Sequence, residues 1–277
     1  MTVPSPTPLE TVILRSGSST AYLAPERGGM VTRFFVGDRP VLYLDEATLL
    51  DPTKNVRGGN PILFPSPGKL EGDRFTRDGK SGAMGQHGFA RNRSWTIVEQ
   101  DEGGVTMGIQ SNAETRAAFP WDFGVLYRTT VDDGAIRIEQ HFEGDEMPFG
   151  AGFHPYFHVA DKAAAHVPTR ATRAWDNKGK REVAVPPRID LTAAEVDLHL
   201  LDHGASSASL ELGDARIEVR ASSEFQRWVI WTLAGKPFVC LEPWTSPGNA
   251  LNDGGPLLTA QRGAPVELWT EIAFTLL

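Results

Sequence analysis

Val266-Glu267-Leu268-Trp269-Thr270-Glu271-Ile272 alternates apolar and polar side chains one by one. Successive side chains of a strand point to opposite faces, so a period of two marks a strand with one face in a core. Ala135-Ile136-Arg137-Ile138-Glu139 repeats the pattern, and Asp132-Asp133-Gly134 just before it reads as a hairpin turn from the run 124–131. Further out, β-rich runs at 11–15, 31–36, 95–99, 105–110, 216–219, 228–233, 238–241 and 266–276 read the same way. The 28 glycines and 20 prolines are scattered along the 277 residues and work against long helices. One window, 191–199, reads as a short helix, with Thr192 as cap and Glu195 three residues on. There is no βαβ rhythm and no repeat. The expectation is an all-β fold, a large antiparallel two-sheet sandwich forming one domain over 1–277, with the proline-rich residues 1–8 loose.

Residues 55–91 are the exception, a long segment rich in glycine turns with little periodicity. Such stretches inside compact domains are usually functional. This one delivers His87 and Arg91, and it reads as the rim and floor of a site.

The bulk numbers narrow the function. The chain is 40% hydrophobic and 22% charged, with a net charge of −8, which is ordinary for a globular protein. No basic stripe is present, which excludes nucleic acid as a partner. A lone cysteine, Cys240, rules out an intrachain disulfide and fits a reducing compartment. MTVPSPTPLE lacks the charged and apolar regions of a signal peptide, and no apolar run approaches the ~18 residues of a membrane helix. The expected setting is cytoplasmic, away from a membrane.

Three polar positions stand out. Glu242 ends the apolar run Phe238-Val239-Cys240-Leu241 and precedes Pro243-Trp244. A carboxylate there is costly unless it is paired or faces a cleft, and partial burial would raise its pKa toward that of a general base. Its alternative is a structural ion pair with an arginine. His154 lies in Phe153-His154-Pro155-Tyr156-Phe157, and an imidazole titrates near neutral pH; the alternative is a core histidine bonded to backbone. His87 lies in Gln86-His87-Gly88-Phe89-Ala90-Arg91, where Gln86 and Arg91 are good ligands for hydroxyl or phosphate groups. Arg57 before Gly58-Gly59 could serve likewise. Trp244, Phe89 and Tyr156 could stack on the apolar face of a ligand, and all three could equally be core.

Other chemistries fit less well. His154 and His158 have the spacing of a helical metal pair, but Pro155 breaks such a helix. No CxxC or HxH element, phosphate loop or GxSxG elbow is present. Asp197 with Glu242 could form a glycosidase pair, but this leaves both histidines without work. The reading is therefore a site with no resident metal.

Four strings carry a resemblance: Arg57-Gly58-Gly59-Asn60-Pro61-Ile62-Leu63-Phe64-Pro65, Gln86-His87-Gly88-Phe89-Ala90-Arg91, Phe153-His154-Pro155-Tyr156-Phe157 and Leu241-Glu242-Pro243-Trp244. In this order they resemble the aldose 1-epimerases, or mutarotases, and most closely the hexose-6-phosphate 1-epimerase branch. The resemblance implies a β-supersandwich with a sugar or sugar phosphate as the small-molecule partner and no cofactor. It implies His154 as general acid, Glu242 as general base and His87 as a second active-site histidine. It matches Arg57, Gln86 and Arg91 to substrate-holding positions, and Asp197 to a substrate-binding aspartate. Pro155 departs from the threonine common in the phosphate branch, and the segment 66–73 is longer than in that branch, which leaves the phosphate open. The expected function is α/β anomer interconversion of a hexose. The alternatives are a glucose-6-phosphate 1-epimerase and a carbohydrate-binding module without turnover.

Overall fold

A computed structural model describes residues 9–277. The expectation for residues 1–8 lies outside the described residues. The chain forms a seven-stranded and an eight-stranded antiparallel sheet, with a smaller four-stranded sheet, built from residues 12–40, beside them. The two large sheets make the expected sandwich. Between them one apolar cluster joins Val105, Met107, Val125, Tyr127, Ile136, Ile138, Phe142 and Ile272 of the first sheet to Trp228, Ile230, Val239 and Leu241 of the second. Non-directional burial of this kind, about 25 cal/mol per Å² of apolar surface, is the main driving force holding the layers together.

Every strand run read from the sequence is present within a few residues. Val266–Leu276 pairs with Ala135–Gly144 on one edge and Ala215–Ala221 on the other. The hairpin at Asp133-Gly134 closes as expected, with Gly134 at φ 80° and Asp132 opposite Ala135.

Two expectations fail. The helix at 191–199 is not formed. Thr192 Oγ1 donates to Asp190 Oδ1 at 2.6 Å in a turn, and Glu195–Leu200 is a strand whose pairing runs from Glu195 opposite Leu233 to Leu200 opposite Trp228. A helix that short is marginal by itself, whereas the strand is paired on both edges. The segment 55–91 is also more ordered than expected. Ile62–Leu63 joins the edge of the eight-stranded sheet, and Arg74–Arg77 pairs with Lys80–Ala83 as a hairpin. Its turn, Asp78-Gly79, has φ values of 51° and 73°, the double positive φ that favours Asp-Gly at hairpin tips.

The eight-stranded sheet positions the site. Its order is Arg181–Ala184, Arg173–Asp176, Glu195–Leu200, Arg227–Leu233, Phe238–Trp244, Gly152–Phe153 and Ile62–Leu63, and Tyr156–His158 also pairs with Phe238–Trp244. One face meets the core. The other face presents two rows of side chains across the strands. One row runs Tyr156, Cys240, Trp231, Asp197, and the next runs Glu242, Val229, His199, Trp175. Val229 is the short member of the second row, so that row dips at its middle.

Candidate active site

A cleft of about 690 Å³ opens over this face, within the 300–1,000 Å³ range of small-ligand sites. It is lined by His154, Glu242, His87, Arg57, Gln86, Arg91, Asp197 and Trp244, so every site residue expected from the sequence reaches one cavity. Tyr156 also lines it. Phe89 does not: it lies in the core against Phe64 and Phe123.

Glu242 and His154 meet across adjacent chain segments, with His154 Nε2 3.4 Å from Glu242 Oε1. Both are buried. The other carboxylate oxygen, Oε2, accepts a hydrogen bond from Trp244 Nε1 at 3.1 Å. Glu242's charged-group partner is thus the histidine, which replaces the structural arginine pair considered for it. Desolvation pushes the Glu242 carboxyl well above its ordinary range, with the charge of Asp197 adding to the rise. Burial, followed by the positive charge of Arg91 and then Arg57, lowers the His154 imidazole to about 3. The two groups are therefore driven toward a shared neutral state, with the pair's one proton on the carboxyl. His154 stacks on Tyr156 with ring centroids 4.7 Å apart and planes at 10°.

His87 completes the wall. The Gly68 backbone N–H donates to His87 Nδ1 at 3.0 Å. A backbone amide can only donate, so Nδ1 is the unprotonated nitrogen and Nε2 carries the hydrogen. Burial, then the neighbouring charges of His154 and Arg91, keep this imidazole neutral, its pKa well below the ordinary value. His87 is thus a neutral hydrogen-bond donor, set edge-on to both His154 and Trp244 at 5.5 Å. Its backbone has φ 69°, a left-handed conformation costing about 1–2 kcal/mol in a non-glycine residue.

The cations sit at the rim. Arg91 gives Nη2 to the Gln86 carbonyl at 2.8 Å and leaves Nε buried without a partner. Arg57 lies over the Trp231 ring at 5.6 Å. Gln86 itself is exposed beside them. The described residues also contain a trio, His154, Cys240 and Glu242, whose ligand atoms lie within 4.8 Å of one another; the same His154 and Glu242 form the close pair above.

Sequence reasoning passed over His199, Asn177, Val229 and Trp231, which also line the cleft. The signal for His199 was the alternation Asp197-Leu198-His199, hidden inside the window read as helix.

Among the described residues, no helix is long and apolar enough to cross a membrane. The family model for aldose 1-epimerase matches residues 10–273. The solved structure of the Slr1438 protein from Synechocystis sp. PCC 6803 is 33% identical, covers 99% of each chain and superposes with a TM-score of 0.95. A galactose mutarotase-like protein from Lactobacillus casei, 23% identical and covering 96% of this chain and 100% of its own, shares the fold with a TM-score of 0.79. A protein of Cenchrus ciliaris named "Putative glucose-6-phosphate 1-epimerase" is 25% identical over 271 residues, 91% of this chain and 76% of its own. The matched span runs from the first described strand to the last and contains every cleft residue named above, and the chain belongs to the aldose 1-epimerase family.

Proposed function

We propose that the protein is a mutarotase, interconverting the α and β anomers of a hexose by acid–base opening and reclosure of the ring. The observation that carries this reading is the buried contact between His154 and Glu242 at the floor of a sugar-sized cleft. Ring opening needs a proton taken from the anomeric hydroxyl and one given to the ring oxygen. A carboxylate and an imidazolium do both at once, and the neutral acid and neutral imidazole left behind reverse both transfers after C1–C2 rotation. The state favoured by burial in the empty cleft is the one that faces the open-chain aldehyde. The cyclic sugar, whose hydroxyls hydrogen-bond the ionic form, is met after the proton passes from Glu242 to His154, whose nearest atoms are 3.4 Å apart. His87 donates its Nε2 hydrogen to oxygens on which charge develops. Following the conversion of pure α-anomer by polarimetry tests the reading, and a rate equal to that in buffer would end it.

The pair works while it holds one proton. As pH falls below about 3, His154 takes a second proton. As pH rises through the elevated pKa of Glu242, the last one leaves. The expected profile of kcat/KM is a broad bell, with its acid limb near 3 and its alkaline limb well above the ordinary carboxylate range. An acid limb near 6.5, the ordinary imidazole value, would contradict this assignment.

A hexose 6-phosphate is the second reading, favoured by Arg57 and by the unpartnered Nε of Arg91. Charge-assisted hydrogen bonds contribute about 1.5–3 kcal/mol. Arg91→Ala is then expected to raise KM for glucose 6-phosphate by ~10- to 100-fold and to leave KM for glucose nearly unchanged. An equal loss for both sugars would remove phosphate from the assignment.

A further inference from the structure

We propose that His199, held by Asp197, positions the substrate by accepting a hydrogen bond from a sugar hydroxyl on the far side of the ring from the anomeric carbon. The inference rests on the sugar reading of the cleft and adds a specificity residue to it. Each oxygen of Asp197 has a close neighbour. Asn177 Nδ2 donates to Oδ2 at 2.7 Å, and His199 Nε2 lies 3.2 Å from Oδ1. Lys180 Nζ in turn donates to Asn177 Oδ1 at 2.8 Å, so Asn177 is fixed at both ends. The Asp197 carboxylate can only accept, so this contact is matched by a hydrogen on His199 Nε2. In the neutral ring Nδ1 is then a lone pair available to the cleft. The Trp244 ring meets the imidazole edge-on at 5.1 Å and 86°, fixing its plane. The His199 side chain keeps 10% of its surface, and it lines the cavity.

Position supplies the rest. His199 stands in the same row as Glu242, with the short Val229 between them. Two strand spacings separate the backbones of Glu242 and His199 by roughly 10 Å. A pyranose lying over Val229 with its C1 hydroxyl at Glu242 directs its C3 and C4 hydroxyls toward His199. Asp197 lines the same cleft and, through the imidazole, also acts as a positioning residue.

The test compares wild type, His199→Ala and His199→Gln on glucose and its 2-, 3- and 4-deoxy analogues, as free sugars or 6-phosphates, whichever the wild type binds. Calorimetric Kd and polarimetric KM and kcat are the readouts, with thermal unfolding to verify the fold. For the parent sugar, His199→Ala is expected to raise Kd and KM by ~10-fold and to leave kcat within ~3-fold, while His199→Gln recovers part of the affinity. The penalty should persist for the 2-deoxy sugar and vanish for the 3- or the 4-deoxy sugar. A penalty equal across the series, no penalty, or a loss confined to kcat overturns the proposal. Because binding is read separately from turnover, a wild type that binds without turnover defeats the mutarotase reading and still decides His199. A wild type that binds none of these sugars overturns both.

Discussion

Glu242→Gln is expected to slow anomer interconversion by about 10³-fold, a loss placed in the range of a removed general base. Glutamine keeps the volume and retains an oxygen to accept from Trp244 Nε1, the bond now made to Oε2 at 3.1 Å. It also removes the group whose ionisation burial penalises, so the fold should be kept. What it loses is the ability to take a proton from the anomeric hydroxyl and return it. His154→Ala should cost a comparable factor, and the double variant little more, because residues that act as one unit are not additive. Polarimetry measures the rate, and circular dichroism checks the fold. If Glu242→Gln retains more than about a tenth of the activity, below the least effect of such a base, the carboxylate does not transfer the proton.

Gly88→Ala is expected to destabilise the protein by about 3 kcal/mol. Gly88 has φ 71°, and a Cβ there would lie 2.2 Å from the Phe64 carbonyl oxygen and 2.8 Å from Pro65 Cδ. That carbonyl cannot retreat freely, since it accepts from the amides of Phe89 at 3.0 Å and Ala90 at 3.2 Å. The strain and the displacement add, and in a chain of this size they should lower Tm by ~6–12 °C. The same shift moves His87, the preceding residue, so activity should fall as well. Gly85 in the same loop is the control: a Cβ there meets nothing within 4 Å, and Gly85→Ala should stay within ~0.5 kcal/mol. Equal melting of the two variants would show that Gly88 does not pin the loop.

Much of this was legible in the chain. Val266–Leu276 and Ala135–Gly144 declare themselves because one face is buried and the other is wet. The four motif strings located the cleft residues for a related reason, since each sets glycine, proline or an aromatic beside a titratable group. The adjacency of His154 and Glu242 was not legible, because it depends on which strands pair and in what register. Glu195–Leu200 misled for a specific reason: Thr192 and Glu195 imitate a capping box, while the strand is selected by partners distant in sequence. The helices Glu46–Leu50, Ala113–Ala118 and Ala250–Asp253 are too short to show a helical period. The first two hold through local caps, Asp45 to the Thr48 amide and Asn112 with Thr115.

Phe238–Trp244 is buried at every residue and paired along both edges. Amides in such a place exchange their hydrogens through openings close to the size of the whole molecule. The loop bearing His87 is tied to this sheet from outside it, by the His87 amide to the Gly68 carbonyl and by the amides of Phe89 and Ala90 to the Phe64 carbonyl. The carboxylate of Glu242 thus rides on one of the stillest parts of the scaffold.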